Sequence, residues 1–375
     1  MKPLSKREKE TMPISRRSFL WGCAASSVIT SVPVLNAWGA ERHSERFRGP
    51  AHHILSLNRD WIFEGQLPIA PSNAAGTPIT LPHAETPLSW QNWNPEAWQH
   101  VWEYRRQFIV PENMHGLRLF LHFDRVLAGA SPVLNGQALP EHLGGFLPFE
   151  YEITHLVTKG ENQLAVAVDS RWLDVPPSGS PKGPGGVDYL LPGGINGGVS
   201  LRAVPEIFIR NVFARPMDVL DTKRRLDVVC QLDAGGELPE NVRLEATLWK
   251  DGHRLAAANR QVQSAEQEVT LTLHQLGHIR LWDMDHPELY QVEVTLFVDD
   301  KPLHRYKTRT GFREARFDLD GFYLNGKRVQ LFGLNRHEIY PYFGFAASDR
   351  TMRHDAVMLR KQLNCNMVRC SHYPQ

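Results

Sequence analysis

Cysteine is scarce in this 375-residue chain, with four residues at positions 23, 230, 365 and 370. Four over that length make no disulfide framework, and all in the mature chain read as reduced, packed thiols. An excess of one charge sign is also lacking. The formal net charge is +1, which removes any electrostatic reason to expect nucleic acid or an acidic membrane surface as partner. The weakly apolar stretch from Phe19 to Leu35 is too short and too polar to stay in a bilayer. His337, His354 and His372 show neither HxxxH nor HxH spacing, so no metal site is predicted from them. Across residues 50–205 no helical period persists, which excludes a helical bundle there.

What is present begins with an address. Ser15-Arg16-Arg17-Ser18-Phe19-Leu20 is a twin-arginine pattern behind a basic head of Lys2, Lys6, Arg7 and Lys9. Ala37-Trp38-Gly39-Ala40 supplies small residues for cleavage. Residues 1–40 are therefore expected to be a receptor-read export signal, carrying the protein to the periplasm or the outside. That route moves proteins already folded in the cytoplasm, which suits cysteines that need no oxidation.

Residues 50–205 consist of short alternating segments such as Trp102 to Val110, Leu117 to Phe123 and Gln163 to Val168, with turns at Asn135-Gly136 and Gly144-Gly145. This pattern predicts a two-sheet antiparallel sandwich or jelly roll. Residues 206–313 alternate again, over Leu226 to Leu232, Arg243 to Trp249 and Tyr290 to Val298, with an Asp251-Gly252 hairpin signal. About a hundred residues of this kind predict an immunoglobulin-type sandwich. The ten tryptophans are read mainly as packing residues. Between the two regions lies 176–198, where thirteen of 23 residues are Pro or Gly. By composition it is a flexible loop, in which Asp188 is as readily a solvated charge as a functional one.

Residues 314–375 change character. Arg328-Val329-Gln330-Leu331-Phe332, after Asn325-Gly326, predicts a strand, and the loop it enters runs from Asn335 to Ser348, longer than an ordinary βα connection. Ser348 is a good N-cap, Asp349 sits in the first turn, and Met352, Ala356, Leu359 and Leu363 share one face. His354 falls on the exposed face. Asn364 tolerates the left-handed end of a helix, and Cys365 to Arg369 predicts a second strand. A strand–helix–strand unit of this length is a parallel crossover. It places His337 and His372 just past the C-terminal ends of neighbouring strands, the edge that holds active sites in α/β barrels. Cys370 lies two residues from His372 with no third orienting group, so a thiol nucleophile is not predicted.

Gly333-Leu334-Asn335-Arg336-His337-Glu338 and Asn366-Met367-Val368-Arg369-Cys370-Ser371-His372-Tyr373-Pro374 resemble the opening of the catalytic barrel in glycoside hydrolase family 2, in wording closest to its β-galactosidases. The resemblance extends over about residues 50–375, through phrases such as Tyr104-Arg105-Arg106 and Gly144-Gly145-Phe146-Leu147-Pro148-Phe149 in the first sandwich. It implies a mainly β chain: a jelly-roll sugar-binding domain (50–205), an immunoglobulin-like sandwich (206–313), and the first βαβ unit of a (β/α)8 barrel (314–375). It further implies that His337 and His372 hydrogen-bond sugar hydroxyls, that Asn335 is a substrate-binding or supporting residue, and that Arg369 lies beside the nucleophile. Asp188, with Gly194-Ile195 following, is similar to the loop that reaches from the sandwich into the site, although this chain has Gly197 where the family usually places an arginine. Glu338 is not the acid in the family and, next to Arg336, reads as part of a structural ion pair.

Retaining hydrolysis needs two carboxylates about 5–5.5 Å apart. In the family both are glutamates on later strands, so both are expected to lie beyond Gln375. The chain as given is then expected to be inactive by itself, with a complementing C-terminal chain as one route to activity. No cofactor is identifiable; the resemblance allows a divalent metal in a complete enzyme. The expected substrate is a β-galactoside, toward which Arg336 leans, with β-glucuronides next. The competing reading is a carbohydrate-binding or assembly module without catalysis.

Overall fold

A computed structural model describes residues 52–68, 76–85, 91, 94–171, 192–264, 266–370 and 373–374. The leader, Asp188, His372 and Gln375 lie outside the described residues. The expectation that both catalytic glutamates fall beyond Gln375 concerns residues that this sequence does not contain.

The fold class is the predicted one, mainly β. In the first sandwich one sheet has the order His53–Ser56, Val199–Val204, Arg118–Phe123, Phe149–Glu152. The other is built on Trp61–Gln66, Val101–Ile109, Glu161–Asp169 and Gly129–Leu134, with short strands at its margins. All these pairs are antiparallel. Alternate side chains of both sheets meet in one core that includes Trp61, Tyr104, Leu121, Phe123, Val166 and Leu201, as period-two strands with one inward face require.

The second sandwich pairs Ile207–Met217, Arg225–Ala234 and Glu268–Leu273 against a sheet of His253–Gln261, Val242–Lys250, Tyr290–Val298 and Lys301–Thr310. The predicted alternation is realised: Leu226, Val228, Cys230 and Leu232 are buried, as are Val292, Val294 and Leu296. Burial pushes the Cys230 thiol up to about 12, and no disulfide forms among Cys230, Cys365 and Cys370. The described tryptophans are buried or half-buried, in keeping with packing roles.

The two sandwiches are locked together. Arg118 gives Glu152 two hydrogen bonds, of 2.9 and 2.8 Å, and reaches Asp233 of the second sandwich at 2.6 Å. Arg202 stacks over both Phe120 and Phe208, and His52 Nδ1 lies 2.9 Å from His304 Nε2.

Residues 315–329 correct one expectation. Asn325 and Gly326 both have positive φ, +51° and +75°, the requirement of a tight type I′ hairpin. The chain therefore turns back at once, and Lys327–Val329 pairs with Gly321–Leu324, which pairs with Ala315–Asp318. The run read as a single barrel strand, Arg328 to Phe332, is divided by this hairpin. The barrel-type strand starts at Gly333–Arg336 and pairs in parallel with Met367–Cys370, so both strands sit further along the chain than predicted. The Asp349–Val357 helix separates them and continues through a π-type turn at Met358–Gln362. Ser348 caps it by accepting from the Thr351 N–H at 3.4 Å. Asn364, at φ +51°, ends it.

Candidate functional site

The parallel pair fixes which side chains are neighbours. Its register sets Asn335 opposite Arg369 and Arg336 opposite Cys370. Only glycine fits at the start of the first strand, because a Cβ on Gly333 would stand 2.4 Å from the Met367 carbonyl oxygen. Asn366 locks the entry: its backbone and side chain bond Phe332, and its amide donates to the Gln330 carbonyl at 2.9 Å.

At the C-terminal edge of this pair Arg369 Nη1 donates to Asn335 Oδ1 at 3.4 Å, and both residues are exposed. His337 follows, half-buried. Its Nδ1 lies 3.5 Å from the Tyr373 hydroxyl, and the two rings meet edge to face with centroids 5.8 Å apart. Asn335, His337 and Arg369 thus share one strand edge.

Arg336 points elsewhere. It donates to Asp355 Oδ2 through Nε at 3.0 Å and Nη2 at 2.8 Å, and to the Tyr340 hydroxyl at 2.7 Å. Tyr340 in turn donates to Asp355. Burial, reinforced by that bond, pushes the Tyr340 hydroxyl up to about 12. Arg336 is therefore committed to fastening the loop to the helix, and the lean toward galactosides drawn from it has no basis in its position.

The ion pair expected between Glu338 and Arg336 is corrected as well. Glu338 is completely buried and its partner is Arg125, which lies 213 positions away, just past the end of a first-sandwich strand. Two parallel bonds of 3.1 and 2.9 Å join them. Such a fork is the strong geometry for a carboxylate, and it leaves Glu338 closed off from any substrate. Arg125 also donates to the carbonyls of Asn196 (3.3 Å) and Phe345 (3.0 Å). Around this pair Phe146, Phe345 and Tyr373 pack together, with Phe146 stacked on Tyr373 at 4.4 Å.

The first sandwich holds a second buried carboxyl. Glu85 accepts from the Gly193 N–H at 2.6 Å, and burial pushes it up to about 8. This bond anchors the downstream end of the Gly-rich loop that contains Asp188. No sequence signal marked Arg125 or Glu85, because each acquires its meaning only across a domain boundary or a long loop. Tyr373 did stand inside a quoted motif, but its role follows from the His337 contact. His354 is exposed on the helix.

This arrangement has known counterparts. Residues 79–185 match the glycosyl hydrolase 2 galactose-binding domain-like family, 207–313 match glycosyl hydrolases family 2, and 317–375 match the TIM barrel domain of that family. The chain belongs to glycosyl hydrolase family 2. It is 32% identical over 333 residues to a β-galactosidase of Thermoanaerobacterium thermosulfurigenes, covering 86% of this chain and 46% of that protein. To a β-galactosidase of Thermoanaerobacter pseudethanolicus the identity is 35%, with 86% and 44% covered. The crystal structure of a Bacteroides uniformis β-glucuronidase superposes with a TM-score of 0.73 at 27% identity, over 86% of this chain and 40% of that one. This family 2 chain thus spans less than half the length of the curated relatives it matches.

Proposed function

We propose that this family 2 chain serves the hydrolysis of terminal β-D-glycosides, β-galactosides first, by the retaining route. The observation that carries the reading is the strand edge bearing Asn335, His337 and Arg369, set behind two sandwiches in a chain about a third identical to β-galactosidases. Here Asn335 and His337 hold sugar hydroxyls in place, which lowers the barrier by fixing dipoles before charge develops on the ring. Arg369 provides a positive charge beside the attacking carboxylate. His372 and Asp188 complete the pocket in this proposal.

The bond-breaking carboxylates are to come from residues outside this sequence, in the same polypeptide beyond Gln375 or in a complementing chain. Glu338 is buried under Arg125 and Asp355 is held by Arg336 and Tyr340, so neither is available. The purified chain is expected to bind methyl β-galactoside weakly, to lose that binding on His337→Gln, and to release no nitrophenol from a nitrophenyl β-galactoside. A reproducible rate from this chain alone would overturn the assignment of the carboxylates, and unchanged binding in His337→Gln would overturn the pocket. A second reading, β-glucuronides, is favoured by the Bacteroides uniformis likeness. Tighter binding of methyl β-glucuronide than of the galactoside would select it.

We also propose export by the twin-arginine route. Arg16→Lys with Arg17→Lys should leave the protein in the cytoplasm, whereas unchanged fractionation into the periplasm would remove the proposal.

A further inference from the structure

The outward face of the second sandwich carries a row of side chains that neither the two cores nor the strand edge at His337 accounts for. Leu248 and Val292 turn into the second core, so Trp249 and Gln291, their neighbours along the strands, face out. Register sets Arg254, Trp249, Gln291 and Arg309 side by side across four strands, a span of roughly 15 Å at ordinary strand spacing. Trp249 is half-buried and the other three are exposed. Trp249, Gln291 and Arg309 line a cavity of about 420 Å³, a size within the range of ligand sites. Lys250 and Asp251 at the hairpin and Glu293 and Lys307 in the next row complete its wall.

The polar groups of this wall fall into two kinds. Glu293 is taken by Lys307 at 3.0 Å and by Arg305 at 3.5 Å, and Lys250 is taken by Glu288 at 2.6 Å. The row itself is uncommitted: among the described residues, the side chains of Arg254, Gln291 and Arg309 make no hydrogen bond or ion pair. Trp249 Nε1 is enclosed without a partner, so what its side chain leaves open to solvent is carbon. Two guanidiniums thus flank an apolar surface and an amide, with no carboxylate in the row.

We propose that this row binds a short oligosaccharide bearing carboxylates, a segment of an acidic polysaccharide. The carbon surface of Trp249 takes the C–H face of a sugar ring. The Gln291 amide, which both donates and accepts, suits hydroxyls, and the guanidinium forks of Arg309 and Arg254 match carboxylates in the two-bond geometry. A neutral sugar would leave the forks unused, and a small anion would leave the indole and the amide unused. The proposal draws on none of Asn335, His337 and Arg369. It gives the second sandwich a binding role beside its packing one.

Calorimetry on the full chain tests this with two α-linked trisaccharides, trigalacturonate and the neutral maltotriose. Trigalacturonate should bind in one saturating event that weakens as salt rises. Arg309→Gln should lower its affinity about tenfold, the weight of one charged two-bond contact. Trp249→Ala should abolish the binding, and maltotriose should bind far more weakly than trigalacturonate throughout. His337→Gln should leave trigalacturonate binding as it is, so failure here and failure of methyl β-galactoside binding are read separately. Absence of trigalacturonate binding, or equal binding of the two sugars, would overturn the proposal. So would an affinity that survives Arg309→Gln, an exposed change that leaves the cores intact, or Trp249→Ala folded by circular dichroism.

Discussion

The buried histidine pair at the sandwich junction makes the molecule sensitive to acid. His304 Nδ1 accepts from the Ile209 N–H at 3.2 Å, which leaves its Nε2 proton to face His52 Nδ1. Burial, then the neighbouring His304, holds His52 down at about 2, and burial, then Arg202, holds His304 at about 3. Both folded values lie below the ordinary 6.5, so the unfolded chain binds protons that the folded chain refuses. Stability from this pair is full above pH 6.5 and falls as pH drops below it, by about 1 kcal/mol per histidine by pH 5.5. Glu85 works in the opposite sense: burial raises its carboxyl to about 8, so its cost grows as pH rises from 4.5 to 8. The pair is isolated by comparing urea midpoints at pH 5.5 and 7.5 in the natural chain and in His52→Gln with His304→Gln. The double variant should lose most of the acid-side decline. An equal decline in both would show that these rings are not its source.

At the scale of elements, the sequence carried its clearest information at the turns. Asn135-Gly136 and Asp251-Gly252 adopt the positive-φ pair their composition demands, and the strands flanking them alternate as read. The Ser348 cap and the Asn364 stop were equally legible, because each depends on a local backbone preference. The first barrel strand was misplaced for a related reason. Asn325-Gly326 is the same hairpin signal, and given the same weight it would have assigned Lys327–Val329 to the preceding hairpin. What no local pattern could convey was register across 34 residues, which is set by Asn366 bonding Gln330 and Phe332 and by the bare Cα of Gly333 against Met367. Gly333→Ala tests that account. A Cβ at 2.4 Å from a backbone oxygen forces the two strands apart, so the amide hydrogens of Gly333–Arg336 and Met367–Cys370 should exchange at least tenfold faster. The sandwiches should keep their protection. Unchanged exchange across the parallel pair would mean that its strands have more room than the geometry gives them.

For the whole molecule, the site was half legible. His337, Asn335 and Arg369 were visible in their motifs and do share an edge, whereas Tyr373 beside His337 and Arg125 on the neighbouring Glu338 belong to contacts between distant segments. The same division governs stability. Each sandwich has its own closed core, but the helix stripe read as apolar is not covered. Met352, Ala356 and Leu359 line an open cleft of about 520 Å³ with Trp282 and Met367. Leu334 and Val368 on the parallel strands are 49% and 43% exposed. Among the described residues its fastenings to the rest include the Arg125 bonds to Glu338 and the Phe345 carbonyl, the aromatic cluster at Tyr373, Ile339 against Trp98, Asn325 on the Trp282 carbonyl, and Arg360 reaching Asp285 at 2.6 Å. Segments with few buried apolar contacts open at a lower free energy than the global transition. Limited proteolysis should therefore cut first within 315–336 or 349–370 and leave a resistant fragment ending near Phe312, whose side chain is buried in the second core. Arg360→Ala removes one fastening and should speed the cut, and Val368→Thr, in the lining of the cleft, should weaken binding of an apolar dye without changing where the chain is cut. First cleavage inside either sandwich would contradict the ordering, for it would place the weakest cooperative unit where the cores are complete.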